Sequence, residues 1–143
     1  MLVKQLSLFL ENRSGRLAAA TRVFAQNGVN ILALSLADTS DFGVLRVIVD
    51  KPEAAHKALR DAGFTVVASD VIAVEVEDQP GGLAAVLDIL QKDAVNLEYM
   101  YAFSSLKAHR AALVFRFEDP DAAIRSLTNA NVSVMSKTDL LGE

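Results

Sequence analysis

The chain has no cysteine among its 143 residues. That removes disulfides, zinc ribbons, iron–sulfur clusters and thiol nucleophiles from consideration. It also lacks an excess of positive charge, since 14 Lys and Arg stand against 18 Asp and Glu for a formal net charge of −4. DNA and RNA are therefore not expected partners. No run approaches the roughly 18 consecutive apolar residues of a membrane span, and the opening residues, broken by Lys4 and Ser7 before Glu11-Asn12-Arg13, do not read as a secretory signal. A cytoplasmic protein with no membrane partner is expected. Catalytic signatures are missing too: there is no GxSxG elbow, Walker loop, GxGxxG or HExxH spacing. His56 and His109 stand far apart without a companion acid motif. The expectation is a protein that is not an enzyme and carries no metal or cofactor.

What the sequence does have is a core and a repeat. Hydrophobic residues make up 52% of the chain, enough for one or two compact units. Sliding the sequence by 66 positions places Leu6, Leu8 and Leu10 over Ile72, Val74 and Val76, Gly15 over Gly81, Leu17-Ala18-Ala19 over Leu83-Ala84-Ala85, and Val29-Asn30-Ile31 over Val95-Asn96-Leu97. After a two-residue insertion the offset becomes 68, and Leu45, Val47 and Val49 fall on Leu113, Phe115 and Phe117. The apolar alternation keeps phase throughout.

Each copy opens with a period-two strand, Lys4 to Glu11 or Val71 to Glu77. A turn follows, Asn12-Arg13-Ser14-Gly15 or Asp78-Gln79-Pro80-Gly81-Gly82, and then a helix whose buried stripe is expected to be Leu17, Ala20, Thr21 and Phe24, or Leu83, Val86, Leu87 and Leu90. Gly28 suits the left-handed residue that ends the first helix, whereas Ala94 stands there in the second, so that end is expected to be built differently. Two strands joined by a hairpin loop come next, with loops at Asp38-Thr39-Ser40-Asp41 and Ser104 to Arg110. A second helix starts near Pro52 or Pro120, and short strands at Phe64 to Ala68 and Val132 to Lys137 close the copies. Strand, helix, strand, strand, helix, strand, twice over, is an α+β arrangement of two ferredoxin-like βαββαβ units. Each has an antiparallel sheet with its helices on one face and the other face uncovered. The expected boundary lies near Asp70, giving units 1–70 and 71–143. A unit of about 70 residues is marginal alone, so the halves are expected to pair edge to edge or face to face.

Glu11-Asn12-Arg13-Ser14-Gly15-Arg16-Leu17, about a dozen helical residues and then Gly28-Val29-Asn30-Ile31, echoed by Glu77-Asp78-Gln79-Pro80-Gly81-Gly82-Leu83 and Ala94-Val95-Asn96-Leu97, resemble the ACT domain, a small amino-acid-sensing module. The resemblance covers nearly the whole chain. It implies a tandem ACT protein that binds a small amino acid near the interface between ACT units, and the uncovered sheet face and edges suggest a homodimer.

On the matching positions, the turn amides beside Gly15-Arg16-Leu17 or Gly81-Gly82-Leu83 suit a carboxylate. The competing reading is that these glycines only shape a tight turn. Asn12 and Asp78 suit a ligand ammonium or, equally, a helix cap. Arg13 and Arg16 suit a bound carboxylate or remain solvated charges, and Ser14, Gln79 and Pro80 complete the two turns. Asn30 and Asn96, with Ile31 and Leu97 beside them, open the next strand and serve a ligand or a turn. Tyr99, Tyr101 and Phe103 alternate along one strand as a side-chain pocket, an interface or plain sheet packing. Glu75 and Glu77 are expected to be solvated. Two rival functions stand beside the sensor: a subunit that grips a biosynthetic enzyme, resembling the small subunit of acetolactate synthase, and an acylphosphatase-like hydrolase using Arg16 and Asn30.

Overall fold

A computed structural model describes residues 2–38, 41–104 and 107–141. Thr39, Ser40, Ser105 and Leu106 of the two expected hairpin loops lie outside the described residues. The chain divides into two compact units, Lys4–Ser69 and a second running from Asp70 that also takes in Val3.

The first unit is built from β1 (Val3–Glu11), α1 (Arg16–Gln26), β2 (Ile31–Asp38), β3 (Phe42–Val49), α2 (Pro52–Asp61) and the start of β4 (Thr65–Glu77). Its sheet order is β2-β3-β1-β4. Antiparallel pairing sets Leu6 opposite Val47 and Leu8 opposite Leu45, so the alternate residues of each strand share one face. That face packs against Ala20 and Phe24 of α1 and Ala55 and Leu59 of α2, with Phe64 closing the cluster. Pro52 occupies the first turn of α2, where its missing N–H costs nothing.

The second unit uses the remainder of β4 with α3 (Gly82–Lys92), β5 (Leu97–Ser104), β6 (Arg110–Phe117), α4 (Pro120–Asn129), β7 (Ser133–Met135) and α5 (Lys137–Leu141). Strand β4 lies between β6 and β7, and β5 pairs the outer edge of β6. Its core joins Ile72, Val74, Phe115 and Phe117 to Val86, Leu90, Ala123 and Leu127. The aromatic bulk that Phe24 and Phe64 supply in the first core comes here from two stacked strand residues, Phe115 and Phe117, with ring centroids 5.5 Å apart. The register break between Ile31 and Ala33 recurs between Leu97 and Tyr99, one repeat later.

Several expectations are corrected. Thr65–Glu77 is one strand rather than two, because neither glycine nor proline interrupts it at Ser69-Asp70. The end of the chain holds a short helix after β7, started by a reciprocal pair in which the Ser136 N–H donates to Asp139 (2.8 Å) and the Asp139 N–H to Ser136 Oγ (3.1 Å). Ala94 takes the same left-handed conformation as Gly28, φ 54° against 64°. Both helix ends close alike: Val29 N–H donates to Phe24 O and Val95 N–H to Leu90 O, each at 2.9 Å. The sheet face turned away from the helices is not open at Gln5, Ala33, Ile48, Ala73 or Val114, all buried. Leu17 and Leu83 are exposed rather than part of the stripe.

Candidate functional site

The link from first strand to first helix is the same in both units. At β1–α1, Arg13 N–H donates back to Glu11 O (2.7 Å) and Arg16 N–H to Arg13 O (3.3 Å); at β4–α3, Gln79 N–H donates to Glu77 O (2.9 Å) and Gly82 N–H to Gln79 O (3.1 Å). The helix-capping residues are Gly15 and Gly81, left-handed at φ 87° and 91°. Being glycines, they supply no side-chain cap of their own. Asn12 and Asp78 lie earlier in the turn, outside the capping position itself, and are exposed. A helix start carries partial positive charge and outward N–H groups, which is receptive to an anion.

In the first unit this turn borders a cavity of about 180 Å³ lined by Leu10, Glu11, Asn12, Arg13, Arg16, Leu17, Leu36 and Gly43. That is below the roughly 300–1,000 Å³ of drug-sized sites, so a guest must be small. Leu10, Leu17 and Leu36 form an apolar wall, and the Glu11–Arg13 ion pair (3.0 Å) sits on the rim in solvent. Arg16 differs from Arg13. Its guanidinium lies 4.7 Å from the centroid of the Phe64 ring, and its Nε is buried without a hydrogen-bond partner. A buried donor left unmatched is costly and therefore primed for an acceptor.

A family model for an ACT domain pair matches residues 1–142. The chain belongs to this family. Among solved structures, a protein from Bacteroides thetaiotaomicron is similar to it with a TM-score of 0.93 and 42% identity, covering 98% of this chain and 96% of the other. The ligand-free regulatory subunit of aspartate kinase from Thermus thermophilus shares the fold at TM-score 0.65 and 17% identity, over 90% of this chain and 93% of that one. Its counterpart from Thermus flavus does so at 0.62 and 17%, over 90% and 92%. No curated protein is close enough in sequence to count as a match.

The second ACT unit repeats the turn without the arginine. At Gly82 an added Cβ would sit 2.6 Å from the Glu77 carbonyl oxygen, so this turn is tighter than the one that admits the Arg16 side chain. Gly81 has open space around its Cβ position and is required for its dihedral angle, not for room. Gln79, Pro80 and Gly81 are exposed beside it, as Ser14 and Gly15 are in the first unit.

The remaining candidates lie elsewhere. Asn30 and Ile31 follow the far end of α1, and 11 residues at about 1.5 Å each put roughly 16 Å between them and the turn. There the Asn30 N–H donates to the Asp50 carboxylate (2.9 Å). Asn96 and Leu97 hold the matching place in the second ACT unit, where Asn96 Nδ2 donates to Glu118 Oε2 (3.0 Å). They line a groove of about 360 Å³ with Leu87, Leu90 and Ala94. Tyr99 and Tyr101 stand opposite Arg116 and Val114 on β6, on the sheet face away from the helices. The geometry does not bring together the two residues the acylphosphatase-like reading needs, since Arg16 and Asn30 flank opposite ends of α1. Glu75 is not solvated: it is buried and meets Arg110 at 3.1 Å and Lys107 at 3.7 Å. Among the described residues no three metal-ligating side chains cluster, and no helix is long and apolar enough to cross a membrane.

Sequence reasoning missed Leu10, Leu36 and Gly43. The pairings Leu10↔Gly43 and Leu36↔Leu45 bring them to the turn, and no local motif announces such a register.

Proposed function

We propose that this chain is a non-catalytic sensor whose first ACT unit binds a small amino acid at the β1–α1 turn. The observation that carries this is Arg16, which lines a small cavity beside a helix start capped by glycine and whose Nε is buried without a hydrogen-bond partner. The α-carboxylate faces Arg16 and the turn amides, Asn12 takes the ammonium, and Leu10, Leu17 and Leu36 receive the side chain. Binding at the second turn is weaker, because Gly82 supplies no cation. Leu17 and Leu36, 41% and 48% exposed at the rim, are covered by a second copy in a homodimer. A ligand that prefers the closed assembly shifts the population toward it. A second reading, in which the chain regulates a separate biosynthetic enzyme, is favoured by Leu34 and Leu36 standing exposed on edge strand β2 and by the fold shared with aspartate kinase regulatory subunits.

Calorimetry with the twenty amino acids tests the sensor. One or a few bind, and Arg16→Ala weakens them about tenfold, the loss of one charge-assisted hydrogen bond at ~1.4 kcal/mol. No binding by any amino acid, or undiminished binding by Arg16→Ala, overturns the proposal.

A further inference from the structure

The far ends of the first helices differ in one charge. In the first unit the ε-ammonium of Lys51 donates to the Gly28 carbonyl at 3.0 Å, supplying a cation to the negative end of α1. The repeat puts Asp119 at the position of Lys51. Its carboxylate is committed to the other side, accepting from Ala122 N–H at 3.1 Å as the cap of α4. The end of α3 otherwise copies that of α1, down to the left-handed residue, Ala94 for Gly28. Where the first unit fills its core with Phe24, the second has Leu90, and the space beside it is the 360 Å³ groove. Leu87, Leu90 and Leu97 form its apolar wall, Gln91, Asn96 and the Ala94 backbone its polar part, and Asn96 leads on to the Glu118 carboxylate. Lys92, the nearest cation in sequence, is not part of the lining.

We propose that this groove binds a small molecule carrying a primary ammonium on an apolar stem, the ammonium taking the place at the Ala94 carbonyl that Lys51 takes at Gly28. The C-terminal carbonyls of α3 and the carboxylate of Glu118, reached through Asn96, favour the cation, and the three leucines take the stem. The site belongs to the second unit alone and is independent of the β1–α1 turn.

Amide NMR of the full chain titrated with 1-aminopentane, and separately with 1-pentanol, tests it. The amine produces saturable shifts at Ala94, Val95 and Asn96 and leaves Leu17 and Ala18 unmoved, and pentanol binds about tenfold more weakly. Asp119→Lys restores the first unit's own ammonium and abolishes the response; Lys51 shows that the position accommodates lysine. Should that variant not fold without its helix cap, Glu118→Gln provides the readout and weakens the amine several-fold. Equal affinity for amine and alcohol, shifts located elsewhere, a folded Asp119→Lys that binds as before, or a Glu118→Gln that binds unchanged overturns the proposal.

Discussion

The two ACT units share a turn to within a few degrees, with Gly15 at φ 87° and Gly81 at 91°, yet one follows it with Arg16 and the other with Gly82. At the far helix end they again share a backbone, Gly28 and Ala94 both left-handed, and again differ in the charge brought to it, Lys51 or Asp119. On the sheet face away from the helices, exposed Phe9 and Phe42 of the first unit correspond to Glu75 and Arg110 of the second, a buried acid and its ion-pair partner. Duplication has kept the backbone bonds, which any divergent side chain must leave intact, while the groups able to contact a ligand have separated. Two units with one scaffold thus present two different chemistries.

The sharpest way to break this comparison is to exchange the residues after the capping glycine. Gly82→Arg forces a Cβ to within 2.6 Å of the Glu77 carbonyl oxygen unless the turn opens. It should cost about 1–3 kcal/mol in urea denaturation. The reciprocal Arg16→Gly loses the contact with Phe64, about 0.5–1 kcal/mol, in addition to a glycine's entropy. A Gly82→Arg protein as stable as the wild type would mean that the two turns are interchangeable.

The helix ends give a smaller effect of opposite signs. Gly28→Ala should destabilise by about 1 kcal/mol, the strain of a left-handed alanine. Ala94→Gly should gain less, because relief of strain is partly offset by the greater freedom of glycine in the unfolded chain. Thermal unfolding of the pair reads both, and equal shifts in the same direction would contradict the equivalence of these ends.

The smallest effect concerns α5, which has no counterpart in the first unit, where the chain runs on as β4. The hydrogen bonds from the Ser136 backbone and side chain hold the Asp139 carboxyl below its ordinary value of 3.8. A depressed folded-state value means that the ionised form favours the fold. The contribution is complete above pH 3.8 and fades as pH falls through the lowered value. Hydrogen exchange at the Ser136 amide should therefore lose protection, once the intrinsic pH dependence is removed, only at the acid end of the range, and Asp139→Asn should flatten that dependence.

Much of the fold was legible because it rests on local signals repeated twice. The period-two strands, the apolar helix spacing, Pro52 and Pro120 at helix starts and the glycine turns each carry their own physical cause. The Ser136–Asp139 pair that starts α5 was legible as well, as a capping residue followed three positions later by an acid, and was read through as strand. The site was legible only in its turn. That Arg16 would leave solvent for Phe64, 48 residues on, or that Glu75 would be buried with Arg110, has no local mark.

The sequence by itself determined the duplicated βαββαβ plan, since propensity, periodicity and turn chemistry act between near neighbours. The tertiary structure alone decided which side chains share a cavity, because Leu10, Leu36 and Gly43 meet through strand register. It also decided the state of Arg16 and Glu75, because burial and pairing of a charge depend on residues that the chain brings close only after it has folded.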